Sequence, residues 1–441
     1  MLYDDPHMHN MLAWPLATST LLFVVTYVGI LSGKIHRTIV ALSGAVLMIA
    51  VGTWFSFYDV HQAVEAIDFG TIMLLFGMMI VVGLFKGTGF FEYMAIRAAK
   101  TAHGKLWLLL VYLGLVTSLV SMVLDNVTTI IIMIPVTLSM ADILKVSPIP
   151  FLISEVLLSN IGGVATFIGD PPNILIGSAA GFSFTDFLTH LAPIVVVVWV
   201  IAQLVLIFLF RADLTGKPEN VERLMAMDER RAITDPVTTG RMLKVLGITI
   251  LLYFVHDRIG LEPGLVALIG ASFGLLWVRP NIDEILSHIH WDVLLFFVSL
   301  FVIVGGLEAG GILVVAGRGI GLLVGHGMLL AALVVLWVSA LASGVISNVP
   351  FTIAMLPIFK GLASQGIPVD VLWWALALGV GFGANLTPVG AAANVFFISM
   401  SDSMGEPFSF RRWLSSGSVI SVTSCIVGSL VLILALKLGL M

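Results

Sequence analysis

Leu119–Pro135 reads LVSMVLDNVTTIIIMIP, and Leu341–Pro357 reads LASGVISNVPFTIAMLP. An offset of 222 residues places Ser121 on Ser343, Asn126 on Asn348, Met133 on Met355 and Pro135 on Pro357. The same offset aligns Ile67-Asp68-Phe69 with Ile289-His290-Trp291, and Gly83 and Gly89 with Gly305 and Gly311. At 221 residues, Thr166, Gly169 and Asn173 meet Thr387, Gly390 and Asn394. Three blocks in nearly one register mark a duplicated unit. In a membrane chain, duplication points to a transporter whose site lies where the halves meet.

Composition sets the solvent. Hydrophobic residues make up 59% of the chain, charged residues 11%, and mean hydropathy is +1.10, against about 25% charged in a soluble domain. Apolar runs long enough to span a bilayer recur from end to end. No basic cluster suggests nucleic acid. Cys425 is the single cysteine, which excludes an intrachain disulfide and a multi-cysteine metal site. The pairs His7/His9 and His288/His290 have metal-like spacing but no converging carboxylate or cysteine, so neither a metal nor a cofactor is expected. The first residues lack a basic n-region, and the first apolar run reads as a permanent span.

Spans are expected near 14–33, 38–54, 69–85, 149–180, 187–210, 242–256, 263–278, 291–307, 370–403 and 413–436. Two further apolar stretches, 107–143 and 328–363, are broken at their centres by Asp125-Asn126 and Ser347-Asn348 and read as re-entrant hairpins. The fold expected is all-α and polytopic: two inverted repeats, 1–212 and 241–441, each of five transmembrane helices plus one hairpin. A cytoplasmic linker, 213–240, joins them. With the N-terminus outside, all of the 21 Lys and Arg except Arg258, Arg318, Lys360 and Lys437 fall on the cytoplasmic side, as the positive-inside rule requires. The runs 89–105 and 311–326 read as amphipathic interfacial helices.

Irregular backbone at membrane depth must line a cavity or bury itself in protein. It is expected in four places: both hairpin tips, Gly162–Asn173 and Gly381–Asn394. Proline cannot continue the helix ladder, and glycine lets backbones approach closely. Each break therefore exposes half-helix ends that can hold a solute or ion.

The run Ser-Met-Val-Leu-Asp-Asn-Val-Thr-Thr from Ser121, followed by Ile-Gly-Gly-Val-Ala-Thr-Phe-Ile-Gly-Asp-Pro-Pro-Asn-Ile from Ile161, resembles the ion transporter superfamily. Within it the chain looks most like the branch of ArsB arsenite efflux pumps, melanosomal P-proteins and NhaD-like sodium/proton antiporters, and most of all like ArsB. The resemblance covers nearly the whole chain. It implies a scaffold domain, a mobile transport domain with hairpins and broken helices, and ion-coupled secondary transport by a homodimer. It also allows a soluble ArsA-type ATPase partner docking on loops such as 211–241. Dicarboxylate members carry Ser-Asn-Thr at both tips. Here the tips read Asp125-Asn126-Val127 and Ser347-Asn348-Val349, which argues against a carboxylate substrate.

The candidate solute ligands are Asn126, Thr128, Thr166, Asn173, Asn348, Thr387 and Asn394. Asp125 and Asp170 are the candidate proton or ion carriers, since intramembrane acids are costly and usually functional. Either is alternatively a helix cap, Asp170 because it precedes Pro171-Pro172. Glu155 could join a proton path or sit near the cytoplasmic end of its span. No phosphate-binding loop or catalytic triad suggests an enzyme. The expected activity is export of arsenite or antimonite, as the neutral trihydroxide recognised by hydrogen bonds, in exchange for protons across the inner (plasma) membrane. The alternatives are sodium/proton antiport and transport of a small organic anion.

Overall fold

The computed structural model describes residues 6–32, 34–403 and 408–439, and every regular element in them is helical. The first half contains α1 (Pro6–Ser32), α2 (Arg37–Trp54), α3 (Val60–Glu65), α4 (Phe69–Lys86) and α5 (Phe90–Thr101). It continues with α6 (Leu106–Ser121), α7 (Asn126–Leu144), α8 (Ile149–Gly163), α9 (Pro171–Ala180) and α10 (Phe184–Leu209). Between the halves lie α11 (Arg211–Leu214), α12 (Val221–Ala226) and a 3-10 turn, Glu229–Ala232. The second half opens with α13 (Pro236–Val255), α14 (Pro263–Val278), α15 (Ile282–Ser287), α16 (Trp291–Ala309) and α17 (Ile312–Gly325). It closes with α18 (Met328–Ile346), α19 (Asn348–Ser364), α20 (Asp370–Gly383), α21 (Ala392–Ser403), α22 (Phe410–Trp413) and α23 (Val419–Lys437). A π-helical turn, Leu414–Ser418, joins α22 to α23.

The duplication extends to whole elements. Helices α3 to α7 begin at residues 60, 69, 90, 106 and 126, and α15 to α19 begin at 282, 291, 312, 328 and 348, the same 222-residue offset each time. Contacts are reciprocal across the halves: α4 packs on α14 and α16 on α2, α7 meets α21 and α19 meets α9. Each half supplies five crossings and one hairpin. These are α1, α2, α4, broken α8–α9 and α10, then α13, α14, α16, broken α20–α21 and α22–α23. The hairpins are α6–α7 and α18–α19. An odd number of crossings inverts the second repeat. Among the described residues, eight helical segments are individually long and apolar enough to cross a membrane, and two of them, α7 and α18, are hairpin arms. The broken crossings divide that length between two shorter helices. Hairpins expected over 107–143 and 328–363 occupy 106–144 and 328–364. The six-residue helices α3 and α15 were not expected. Asp59 caps α3 in a capping box with Gln62, a signal that the apolar pattern hides.

Packing centres on α8 and α20. Every residue of α8 is buried, as is α20 from Leu372 to Gly383. Between membrane helices, close packing rests on small residues. A Cβ on Gly162 would lie 2.8 Å from Ser118 O in α6, and one on Gly383 would lie 2.3 Å from Ala340 O in α18. These are repeat-equivalent contacts, so both hairpins seat on a broken helix through one glycine each.

The inter-repeat segment is docked. Lys100 of α5 pairs with Glu229 at 2.6 Å and donates to Met227 O at 2.8 Å. Thr234 donates to Gly87 O and Thr88 O, and Glu219 N donates to Leu144 O at the end of α7. Lys100 holds the Glu229 carboxyl below the usual carboxylate range, so this clamp is present above that range and weakens as pH falls through it.

We propose that this segment, 213–240, faces the cytoplasm. Single cysteines at Asp213 or Asp228 in a Cys425→Ser background should be labelled by an impermeant reagent only in everted vesicles. Labelling from the periplasmic side contradicts the orientation. Gly383→Ala should cost about 1–3 kcal/mol by overpacking. It should be read as a lower unfolding temperature in detergent, and an unchanged temperature would show that α18 and α20 separate easily.

Candidate transport site

The two hairpin tips are built differently. At the first tip, Asp125 caps α7: its carboxylate accepts from Thr128 N at 2.9 Å and from Thr128 Oγ1 at 2.6 Å. Asn126 follows, with Oδ1 accepting from Ser121 Oγ at 2.6 Å and Nδ2 donating to Asn160 Oδ1 at 3.1 Å. At the second tip, Ser347 stands at φ 85°, ψ 150°, a conformation that favours glycine, and its side chain caps nothing. Strain of this kind persists only where the surroundings impose it. Here Asn348 N donates to Gly390 O at 3.2 Å, tying the tip to the broken helix beside it.

The breaks are braced by repeat-equivalent bonds. Asn173 Nδ2 donates to the carbonyls of Gly163, Val164 and Thr166 at 2.8–3.2 Å. Asn394 Nδ2 donates to Ala384 O at 2.7 Å and Thr387 O at 3.1 Å. Thr166 Oγ1 donates to Met122 O at 2.6 Å, and Thr387 Oγ1 donates to Gly344 O, locking each hairpin to its neighbouring break. A buried carbonyl freed by an interrupted helix needs such a donor. In the second half, Trp413 Nε1 and Ser418 Oγ serve Asn385 O and Leu386 O from either end of the π turn. A π turn is often found at functional sites.

Asp170 occupies the junction. It stands at the N-cap position of α9, yet its side chain makes no capping bond. It is 1% exposed. Asn348 Nδ2 approaches Oδ1 at 3.4 Å, Asn126 adjoins the same carboxyl, and Oδ2 has no partner. The fully buried acid thus lies between the tips of opposite repeats. Among the Lys and Arg whose side chains are described, none is buried.

The sequence-derived ligands therefore separate. Asn126 and Asn348 converge on Asp170. Thr128, Thr166, Thr387, Asn173 and the amide of Asn394 are committed to backbone or capping partners. Both acids were expected as proton or ion carriers with capping as the alternative; Asp125 caps α7, and the Asp170 side chain caps nothing. Asn160 and Asn385 are additions. Asn160 Nδ2 donates to Asn385 Oδ1 at 2.8 Å and to Asn394 Oδ1 at 2.9 Å, carrying the network from the first tip into the second break. Asn160 has no asparagine counterpart in the other repeat, so the duplication could not reveal it. Asn385 does occur in the polar run of the second break.

A cavity of about 540 Å³ opens over the start of α4, the α9–α10 turn and the 256–264 loop. Phe167 and Ile174 are among its lining residues. A second cavity, about 30 Å³, is lined by Ile174, Asp125, Ile168 and Pro171 together with Leu75 and Met78 of α4. It has room for a water. Ile174 borders both cavities.

Residues 27–379 match the family described as citrate transporter. The chain belongs to the citrate transporter family. This family member is a multi-pass membrane protein of a transporter class. A 46 kDa membrane protein of Mycobacterium leprae is 41% identical over 410 residues, covering 91% of this chain and 94% of the relative. An uncharacterized transporter of Mycobacterium tuberculosis is 39% identical over 414 residues, covering 93% and 96%. Human P protein is 31% identical over 498 residues, covering 95% of this chain and 59% of that protein. The superfamily and P-protein parts of the resemblance are thereby met. The solved YdaH transporter of Alcanivorax borkumensis superposes with a TM-score of 0.60 at 16% identity over 96% of this chain and 98% of the other. That likeness concerns the fold.

Different losses should follow from the two kinds of asparagine. Asn126→Ala and Asn348→Ala leave polar partners unpaired at about 1–3 kcal/mol, or about five- to 150-fold in solute affinity, with folding retained. Asn173→Ala and Asn394→Ala should instead lower the folded yield and unfolding temperature. Unchanged affinity in the first pair, or unchanged stability in the second, would reverse the assignment.

Proposed function

We propose that the chain is a proton-coupled secondary transporter in which Asp170 carries the coupling proton. The observation that supports this reading most is the state of its carboxyl: fully buried, bonded by the Asn348 amide, and with one oxygen unpartnered. An uncompensated carboxylate is costly in such a place, whereas a protonated acid is not. Asp170 adjoins both tips, so moving either hairpin changes its surroundings, which is what alternating proton loading and release requires. Asp125 supports this as a fixed cap lining the small cavity. Its charge is answered by the Thr128 amide and hydroxyl.

The solute of this reading is uncharged. Neutral arsenite or antimonite trihydroxide can exchange hydrogen bonds with Asn126 and Asn348, and export in exchange for protons from the inner membrane follows. The citrate named for the family would bring negative charge to a junction that already holds an acid and no buried Lys or Arg. It would require protonation or a bound cation to offset that charge. Sodium/proton exchange uses the same Asp170 and is the second reading, favoured by the unpartnered Oδ2.

Everted vesicles supplied with arsenite, sodium or citrate, with internal pH recorded, separate these. The expected result is arsenite uptake accompanied by proton release from the lumen. Asp170→Asn should abolish net proton-driven uptake while leaving solute exchange, and Asp125→Asn should retain it. Citrate uptake without arsenite uptake, or full proton drive in Asp170→Asn, contradicts the proposal.

A further inference from the structure

Glu155 lies in the middle of α8 and is 1% exposed. Its Oε1 accepts from Thr137 Oγ1 of α7 at 2.7 Å, and Oε2 has no partner. Helices α6, α7, α10, α20 and α21 surround α8. None of them brings a compensating positive charge. Helix α6 has no charged residue, and Asp142, Asp186 and Asp370 lie in terminal turns of α7, α10 and α20. His190 of α10 stacks on Trp374 at 5.0 Å, and Asp402 is next to last in α21.

The neighbouring hydroxyls on α8 are directed to their own helix. Ser154 donates to Pro150 O at 2.6 Å and Ser159 to Val156 O at 2.9 Å. A hard metal cation needs several oxygen ligands, and the side chains joined at this contact are Glu155 and Thr137. A proton needs one oxygen. Glu155 is also placed to sense hairpin movement. Thr137 is on the arm that begins with Asn126, and Asn160 lies five residues along α8 from Glu155, about 7.5 Å at the helical rise.

We propose that Glu155 is a second proton-binding site, distinct from Asp170, loaded in the conformation seen here and emptied when α7 shifts against α8. On release, the carboxylic O–H bond breaks, the electron pair stays on the carboxylate and the proton passes to water reaching the opened contact. The part this plays in coupling rests on the proton-coupled reading above. The protonation itself does not.

Infrared spectroscopy of the purified full chain at neutral pH reads the protonation directly. A carboxylic-acid C=O band assignable to Glu155 should be present in the wild type and in Asp170→Asn, lost in Glu155→Gln and shifted in Glu155→Asp. The amide of Glu155→Gln still offers an oxygen to Thr137, so its unfolding temperature should stay near the wild type. A wild type without this band, or a Glu155→Gln spectrum that retains it, overturns the proposal. In proteoliposomes, protons moved per arsenite or per sodium should fall by one in Glu155→Gln. An unchanged ratio overturns the coupling role. If Glu155→Gln abolishes proton drive while Asp170→Asn leaves it intact, the reading of Asp170 fails and Glu155 stands.

Discussion

A carboxyl group deep in a bilayer needs a partner, a proton or a metal ion, because lipid offers nothing to answer its charge. Asp170 has two asparagines and an unpartnered oxygen. Much of the surrounding architecture can be read as what is needed to hold it there. Two breaks must lie side by side at membrane depth, and each break releases carbonyls that require donors. Asn173, Asn394, Thr166 and Thr387 provide them in matching fashion. Glycines at 162 and 383 let the hairpins close on the broken helices.

That scaffold is symmetric, and the chemistry placed on it is not. Asp125 corresponds to Ser347 and Asp170 to Ala391. The first tip has a satisfied cap and the second a serine in a glycine-like conformation. The second repeat sends Asn348 to the acid of the first, while the first sends Asn126 and Asn160 toward Asn385 and Asn394 of the second. Neither half completes the junction alone. A displacement of one broken helix relative to the other would alter both sets of bonds together.

The fold was legible because two independent signals agreed. Hydropathy located the crossings, and the repeated Asn and Pro positions located the tips and breaks. The site was legible only in part. Asn126, Asn348 and Asp170 stood out at breaks and do converge. Motif reading could not separate an asparagine that meets other side chains from one that braces a break, since Asn126 and Asn173 have the same side chain and differ only in what their amides meet. Nor could it tell which acid caps. Each acid stands three residues before an N–H that a cap can serve, and the difference is tertiary: Thr128 N meets the Asp125 carboxylate, whereas Asn173 N is taken by the backbone carbonyl of Asp170. Asn160 and Glu155 lay inside an apolar run whose burial only tertiary packing decides.

The contact between Asp170 and the opposite repeat is tested most directly by a double-mutant cycle. Asp170→Ala, Asn348→Ala and the pair would be compared by unfolding free energy in detergent. Residues that share a buried hydrogen bond should show a coupling energy of about 0.5–3 kcal/mol. Additive effects within error would mean that the acid and the second tip do not meet, and the junction described for this chain would be wrong.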